Sequence, residues 1–253
     1  MSVDLAELGN LRVSGIEPII NDDKVRISDL VDYEYQRDLV VENTRAFIEG
    51  RNANNCLLYG DMGTGKSTTV KATVNEFRRY GLRIVEIPKE KLMEFPLLID
   101  AIAQVPMKFI IFIDDLSFQR QDECYTSLKA VLEGGVAALP KNALIYATSN
   151  RRHLVREKSS DKLEIMDDDD LHSSDTVQEK LSLVYRFGVR IYYGAPSKKE
   201  FQTIVKALAE RNGITMPEDE LLLEANKWEL SHGGLTGRTA QQFIDHLLGV
   251  EKE

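Results

Sequence analysis

The sequence predicts an α/β protein, a doubly wound parallel sheet of five strands followed by a small all-helical unit. Three observations lead there. Five short, nearly all-apolar runs alternate with helix-periodic segments, one run leads into a glycine-rich loop, and beyond Pro196 the strand signals cease. Strands without a polar face imply helices on both sides of the sheet, which is how parallel sheets are built.

In chain order, the expected strands are CLLY (56–59), RIVEI (83–87), FIIFI (109–113), ALIYA (143–147) and VRIYY (189–193). A helix-like stretch follows the first, from Lys66 towards Tyr80. Between the third and fourth, Tyr125, Leu128, Val131 and Leu132 share one helical face, and Gly134-Gly135 supplies a stop. Residues 156–180 are polar and heavily charged, with four consecutive aspartates at 167–170. Consecutive carboxylates repel and lack the alternating spacing of a calcium loop, so a solvated, partly disordered loop is expected over a cation site. After Pro196, Ser197 and Glu200 form a capping box, and Phe201, Ile204, Val205 and Leu208 recur at amphipathic-helix spacing. A second helix opens at Pro217 and carries Leu221, Leu222, Ala225 and Trp228; a third follows Gly237 with Ala240, Phe243 and Leu247. The expected division is an α/β unit with its N-terminal flank over 1–195 and a small all-helical unit over 196–253.

Bulk properties narrow the function. The chain has 253 residues, 43% hydrophobic and 29% charged, enough for one large domain with a real core. It has no apolar run of membrane-spanning length, and the start MSVDLAELGN has neither a basic nor an apolar leader region, so a cytoplasmic location without membrane attachment is expected. Cys56 and Cys124 lie in a strand-like and a helix-like run, which favours buried free thiols over a disulfide or metal site. A net charge of −9 argues against sequence-independent binding to phosphate backbones, although a local basic patch stays open.

The most specific signal is GDMGTGKS, a full match to the phosphate-loop pattern, standing after an apolar strand and before a helix. Gly60, Asp61, Met62, Gly63, Thr64, Gly65, Lys66, Ser67 and Thr68 are therefore expected to cradle phosphates. The glycines let backbone N–H groups turn inward, and the helix N-terminus adds partial positive charge. Lys66 would neutralise the β and γ phosphates, and Ser67 would give Mg²⁺ one ligand. IIFIDD then delivers Asp114 to the sheet edge, where it can hold Mg²⁺ through coordinated water. Asp115 would follow as general base, with a capping or turn role as its alternative. Aspartate reaches about 1.5 Å less than glutamate, roughly one C–C bond, a shortfall that a small backbone shift or a bridging water can meet. Asn150, at the end of ALIYATSN, is suited to polarise a water beside a γ-phosphate, since ligands of open α/β sheets sit at the carboxyl edge. Arg186 lies in LVYRFG at a helix end, and Arg238 at the start of the last helix, where a cation meets the unfavourable end of the dipole unless an anion is near.

The order GDMGTGKS, IIFIDD, ATSN, YRFG, GLTGR, then helices resembles the AAA+ ATPases, and within them a bacterial domain-of-unknown-function family of predicted AAA+ ATPases. The likeness covers nearly the whole chain, including the flank ISDLVDYEYQRDLVVENTRAFIEGRNANN. By that resemblance Asn150 matches sensor 1, Arg186 the arginine finger, with Arg152 a weaker competitor, and Arg238 sensor 2. Leu30 to Tyr33 match a stretch that packs near adenine, Val31 and Tyr33 included; Asp32 departs from an expected glycine. A paired-aspartate motif resembles the replication-initiator and helicase-loader branch. The resemblance implies ATP and Mg²⁺ as cofactors, a homo-oligomer joined through Arg186, a protein or nucleic-acid client, and no other metal site. Two functions share these residues: an ATP hydrolase that rearranges a partner, and a slowly hydrolysing nucleotide-gated adaptor or switch. Phosphoryl transfer to a small metabolite is disfavoured, because the helical unit with its own arginine is a nucleotide-sensing lid. No aromatic pore-loop signal stands out, and Phe95 is expected to serve helix packing.

Overall fold

Alternation of side chains along each strand decides which helices cover which face of the sheet. The structure is a computed structural model and describes residues 24–116, 123–132, 139–150 and 182–250. Five parallel strands, β1 (Cys56–Gly60), β2 (Leu82–Glu86), β3 (Lys108–Ile113), β4 (Ala143–Ser149) and β5 (Val189–Tyr193), lie in the order β2-β3-β4-β1-β5. Cys56, Leu58, Ile110, Phe112 and Tyr146 face α1 (Glu34–Ile48) and α2 (Lys66–Phe77). Their strand neighbours Leu57, Ile111, Ile113 and Ile145 face α3 (Phe95–Ala103) and α4 (Glu123–Leu132). Both faces of the central strands β1, β3 and β4 are covered, so an apolar residue is favoured at nearly every position there, as the sequence implied, whereas the edge strands β2 and β5 leave Glu86, Arg190 and Tyr192 exposed.

Ends of elements moved by a residue or two. β2 starts at Leu82, paired with Lys108, one residue before the expected strand. α2 stops at Phe77 and a 3₁₀ turn carries the chain to Gly81, whose φ of +86° ends it. β4 continues through Thr148 and Ser149, which makes both strand residues. Phe95 is fully buried beneath α3, in the packing role expected of it. Cys56 is a buried free thiol; the side chains of Cys124 and Tyr125 lie outside the described residues, as do Gly134-Gly135, Arg152 and the acidic segment 156–180.

Three further helices, α5 (Lys198–Arg211), α6 (Glu218–Ser231) and α7 (Gly237–Val250), close around their own core of Phe201, Ile204, Val205, Leu221, Phe243 and Ile244. The Ser197–Glu200 capping box forms as expected: Ser197 Oγ accepts from Glu200 N, and Ser197 N donates to the Glu200 carboxylate. Trp228 lies half-buried on this core, stacked on His232 at 3.7 Å between ring centres. Among the described residues no helix is long and apolar enough to cross a membrane.

One polar group is embedded in the sheet core. The Tyr146 hydroxyl is buried between α1 and β4, 2.7 Å from Thr44 Oγ1 and 2.9 Å from the Asn43 amide nitrogen. Asn43 also holds the backbone of Asn54, just ahead of β1. Tyr146→Phe keeps the ring but leaves these partners short of a bond, so it should destabilise the fold by about 1–2 kcal/mol. Urea denaturation checks this, and an unchanged midpoint would show that the network adds nothing.

Candidate functional site

Apart from Arg186, the expected site residues meet at the carboxyl edge of the sheet, where the strand order brings them together. Backbone at Gly60 passes so close to β5 that a Cβ there would lie 2.2 Å from the Tyr193 carbonyl oxygen. Only glycine fits. The next residue, Asp61, donates its N–H to Tyr193 O (2.8 Å), and its carboxylate accepts the N–H of Ala195 (2.7 Å). The phosphate loop is thereby fastened to the segment that leads into α5. Thr64 Oγ1 closes the loop on Asp61 O at 2.8 Å, while Met62 is left 62% exposed at its tip. Ser67 and Thr68 open α2 behind Gly65.

Lys66 is 5% exposed, and its Nζ reaches the carbonyls of Asp61 (2.5 Å) and Gly60 (3.5 Å). Burial pushes its pKa down to about 8; Asp61, Asp114 and Asp115 pull it back up, and the charge of Arg238 adds to the lowering. An anion in the loop would relieve what burial costs this ammonium.

Asp114 follows β3 directly, with one carboxylate oxygen, Oδ1, accepting from Ser67 Oγ (2.6 Å) and Thr148 Oγ1 (2.5 Å). The two residues expected to share a divalent cation are thus in direct contact. Asp115 has φ +51°, in the left-handed region, which turns the chain away from β3. Its N–H donates to Thr148 Oγ1 (2.9 Å), and its carboxylate accepts from the Asn150 amide (2.8 Å). Sequence reasoning gave Thr148, within ALIYATSN, no role of its own; nothing in local pattern marks a threonine whose partners follow another strand.

The helical unit reaches the same loop. Arg238 N donates to Gly63 O at 3.3 Å, and a Cβ on Gly63, where φ is +74°, would press within 3.1 Å of Thr236. Arg238 itself is exposed at the start of α7. From the N-terminal side, Val31 packs on the helical core and Tyr33 stacks on Tyr193 at 5.2 Å, its hydroxyl donating to Gly194 O (2.6 Å). Asp32 and Tyr33 adopt φ of +70° and +58°. The glycine expected at 32 is therefore a conformational need, which aspartate, a short polar residue, meets in its place.

Arg186 is not at this edge. It follows a helical turn at 182–184 and enters β5 from the opposite end, exposed, with its N–H on Leu183 O. Five strand residues, about 16 Å, separate the two ends. Among the described residues no cluster of His, Cys, Asp or Glu could hold another metal.

A family model described as "Protein of unknown function (DUF815)" matches residues 6–251. No curated protein matches the chain. Among solved structures it is similar to the Aeropyrum pernix ORC1 protein in complex with DNA, with a TM-score of 0.62 and 14% identity over 88% of this chain and 62% of that one. It is also similar to the FIGL-1 AAA domain in complex with ADP, at 0.58 and 18% over 88% of this chain and 72% of that one. A mutant of Thermotoga maritima RuvB follows at 0.57 and 15%, over 90% and 67%. The fold is that of the AAA+ P-loop proteins.

The buried lysine supplies a test that needs no ligand. Its folded pKa, about 8, lies below its ordinary 10.5, so between the two the unfolded chain binds more protons and stability rises with pH. Lys66→Met removes that titration. The variant should be the more stable protein near neutrality, and its advantage should shrink from about pH 8 towards 10 in urea unfolding; a pH-independent difference would contradict the burial of the charge.

Proposed function

The chain belongs to the DUF815 family, and from that premise we propose that it is an ATPase of the AAA+ type, binding Mg-ATP and hydrolysing it to rearrange a partner. One observation carries the reading: a buried Lys66 ammonium hydrogen-bonded to loop carbonyls stands beside a Ser67–Asp114 pair at the carboxyl edge of the sheet. A loop that turns through positive φ at Gly63 and Gly65 can aim backbone N–H groups at phosphates, and a hydroxyl touching a carboxylate fits Mg²⁺, a hard cation that takes oxygen ligands. The FIGL-1 domain was solved with ADP, which agrees with a nucleotide in this fold.

In this reading residues 1–195 form the nucleotide-binding unit and 196–253 the lid. The backbone from Gly60 to Thr68 holds the phosphates, Lys66 neutralises them, and Ser67 and Asp114 hold the cation. Bound Mg²⁺ would neutralise charge developing on the phosphate oxygens. Asp115 takes the proton of the attacking water and Asn150 orients it. Arg238 contributes a cation from the lid, while Val31 and Tyr33 flank the base. Arg186 stands at the far end of β5 from its own phosphate loop, which supports a role towards the nucleotide of a neighbouring copy, so a homo-oligomer follows. The client is a protein or a nucleic acid, the work is cytoplasmic, and the ORC1 structure with DNA is consistent with either.

A second reading, a slowly hydrolysing nucleotide-gated adaptor, is favoured by one contact. The Asn150 amide is bonded to Asp115, so the proton acceptor and the water-orienting group occupy one another.

Phosphate release measured across protein concentrations separates the two readings. Asp115→Asn should retain ATP binding and lose turnover by about 10²–10⁴-fold, because an amide keeps the shape but cannot take a proton. Equal turnover in both proteins would remove Asp115 from the chemistry. Mixing Arg186→Ala with Lys66→Ala subunits, each inactive alone, should restore part of the activity, since some interfaces then pair an intact Lys66 site with an intact Arg186. A finger given in trans is worth about 10³–10⁵ in rate, so the recovery is measurable, and its absence in co-assembled mixtures would sink the role in trans.

A further inference from the structure

Thr148 is buried, 2% exposed, near the carboxyl end of β4. Its strand lies between β1, which leads into the phosphate loop, and β3, which leads into Asp114 and Asp115. The hydroxyl makes two contacts, with Asp114 Oδ1 at 2.5 Å and with the backbone N–H of Asp115 at 2.9 Å. A hydroxyl carries one proton and two lone pairs. An N–H can only donate and an ionised carboxylate can only accept, so the proton goes to Asp114 and a lone pair to Asp115. One oxygen therefore sets both the carboxylate of the first aspartate and the backbone that aims the second.

Burial alone does not create such a bond. Ser149, the next residue of the strand, is fully buried, and its hydroxyl has no partner among the described residues. Asp114 Oδ1 has two other donors, Ser67 Oγ at 2.6 Å and Asp115 N at 3.2 Å. Under the proposed function Ser67 becomes a cation ligand, so its position answers to the metal. The Asp115 contact is long. Thr148, anchored in a central strand, is the donor to which the proposed function gives no cation or phosphate to hold.

We infer that Thr148 is a positioning residue, whose hydroxyl holds Asp114 and the Asp115 backbone in the arrangement that Mg²⁺-dependent nucleotide binding needs. The inference rests on the function proposed above. Thr148→Val keeps the branched shape and removes the hydroxyl; Thr148→Ser keeps the hydroxyl. Without nucleotide, the Asp115 amide should exchange with solvent about tenfold faster or more in the valine variant and near the wild-type rate in the serine variant. With ATP, the Mg²⁺ concentration giving half-maximal binding should rise about tenfold or more in the valine variant, the scale of a lost hydrogen bond to a charged group. Binding of ATP in EDTA should not change, and serine should restore the Mg²⁺ dependence. If the valine variant does not fold, Thr148→Ala goes through the same titrations.

Wild-type Mg²⁺ dependence in the valine variant would overturn this inference alone. Equal impairment of the valine and serine variants, or equal loss with and without Mg²⁺, would also overturn it, since side-chain packing would then be the cause. Absence of Mg²⁺-dependent ATP binding in the wild type would overturn the functional reading and this inference with it.

Discussion

The site depends on a spacing constraint in the sheet. The phosphate loop leaves β1 and the acidic pair leaves β3, yet β4 lies between them. Adjacent strands stand about 4.8 Å apart, so the two chemical elements are separated by about 10 Å at the level of the backbone. Only side chains can bridge that gap. Ser67 reaches from one side, and Thr148 and Asn150 rise from the strand in between to meet Asp114 and Asp115. The continuous apolar strands serve this arrangement indirectly, because two buried faces hold the three strand ends in register.

A second set of contacts makes the phosphate loop a junction between two packed bodies. The Asp61 carboxylate holds the backbone at Ala195, ahead of α5, and the Gly63 carbonyl holds the first turn of α7. On the other side, Arg211 at the end of α5 donates to the carbonyls of Asp29 and Ser28, and Val31 enters the helical core. The helical unit is thus tied at both its entry and its last helix to the loop that would receive phosphates. A change in loop conformation has a short mechanical route to that unit, through hydrogen bonds of 2.7 and 3.3 Å.

Electrostatics and sterics at the loop point the same way. Folding places a lysine where burial disfavours its charge, and places glycine where Tyr193 leaves no room for a side chain. The buried charge costs stability in the isolated fold, as burial of an ammonium does. Asp115, which follows β3 at the same strand ends, has a left-handed backbone, and strained backbone commonly gathers at ligand sites.

Much of this was legible in the linear chain. Periodicity located the five strands within a residue or two, the phosphate-loop pattern marked Gly60 to Ser67, and the Ser197–Glu200 pair marked the start of α5. These signals are local: they need only neighbouring residues, and the backbone geometry they demand is set by sterics and by hydrogen bonds within a few positions. Strand ends and helix ends marked Asp114, Asn150, Arg186 and Arg238, the resemblance gave the last three their expected roles, and the positive φ at Asp32 explains why a glycine was expected there. What tertiary structure alone decided is which strand ends meet. Thr148 gained its partners because β4 inserts between β1 and β3, Asp61 gained Ala195 because β5 flanks β1, and Arg186 was set at the opposite sheet edge because β5 runs parallel to the rest. Strand order is a property of long-range packing, in which residues about 30 to 130 positions apart become neighbours, and no short window of sequence carries that information.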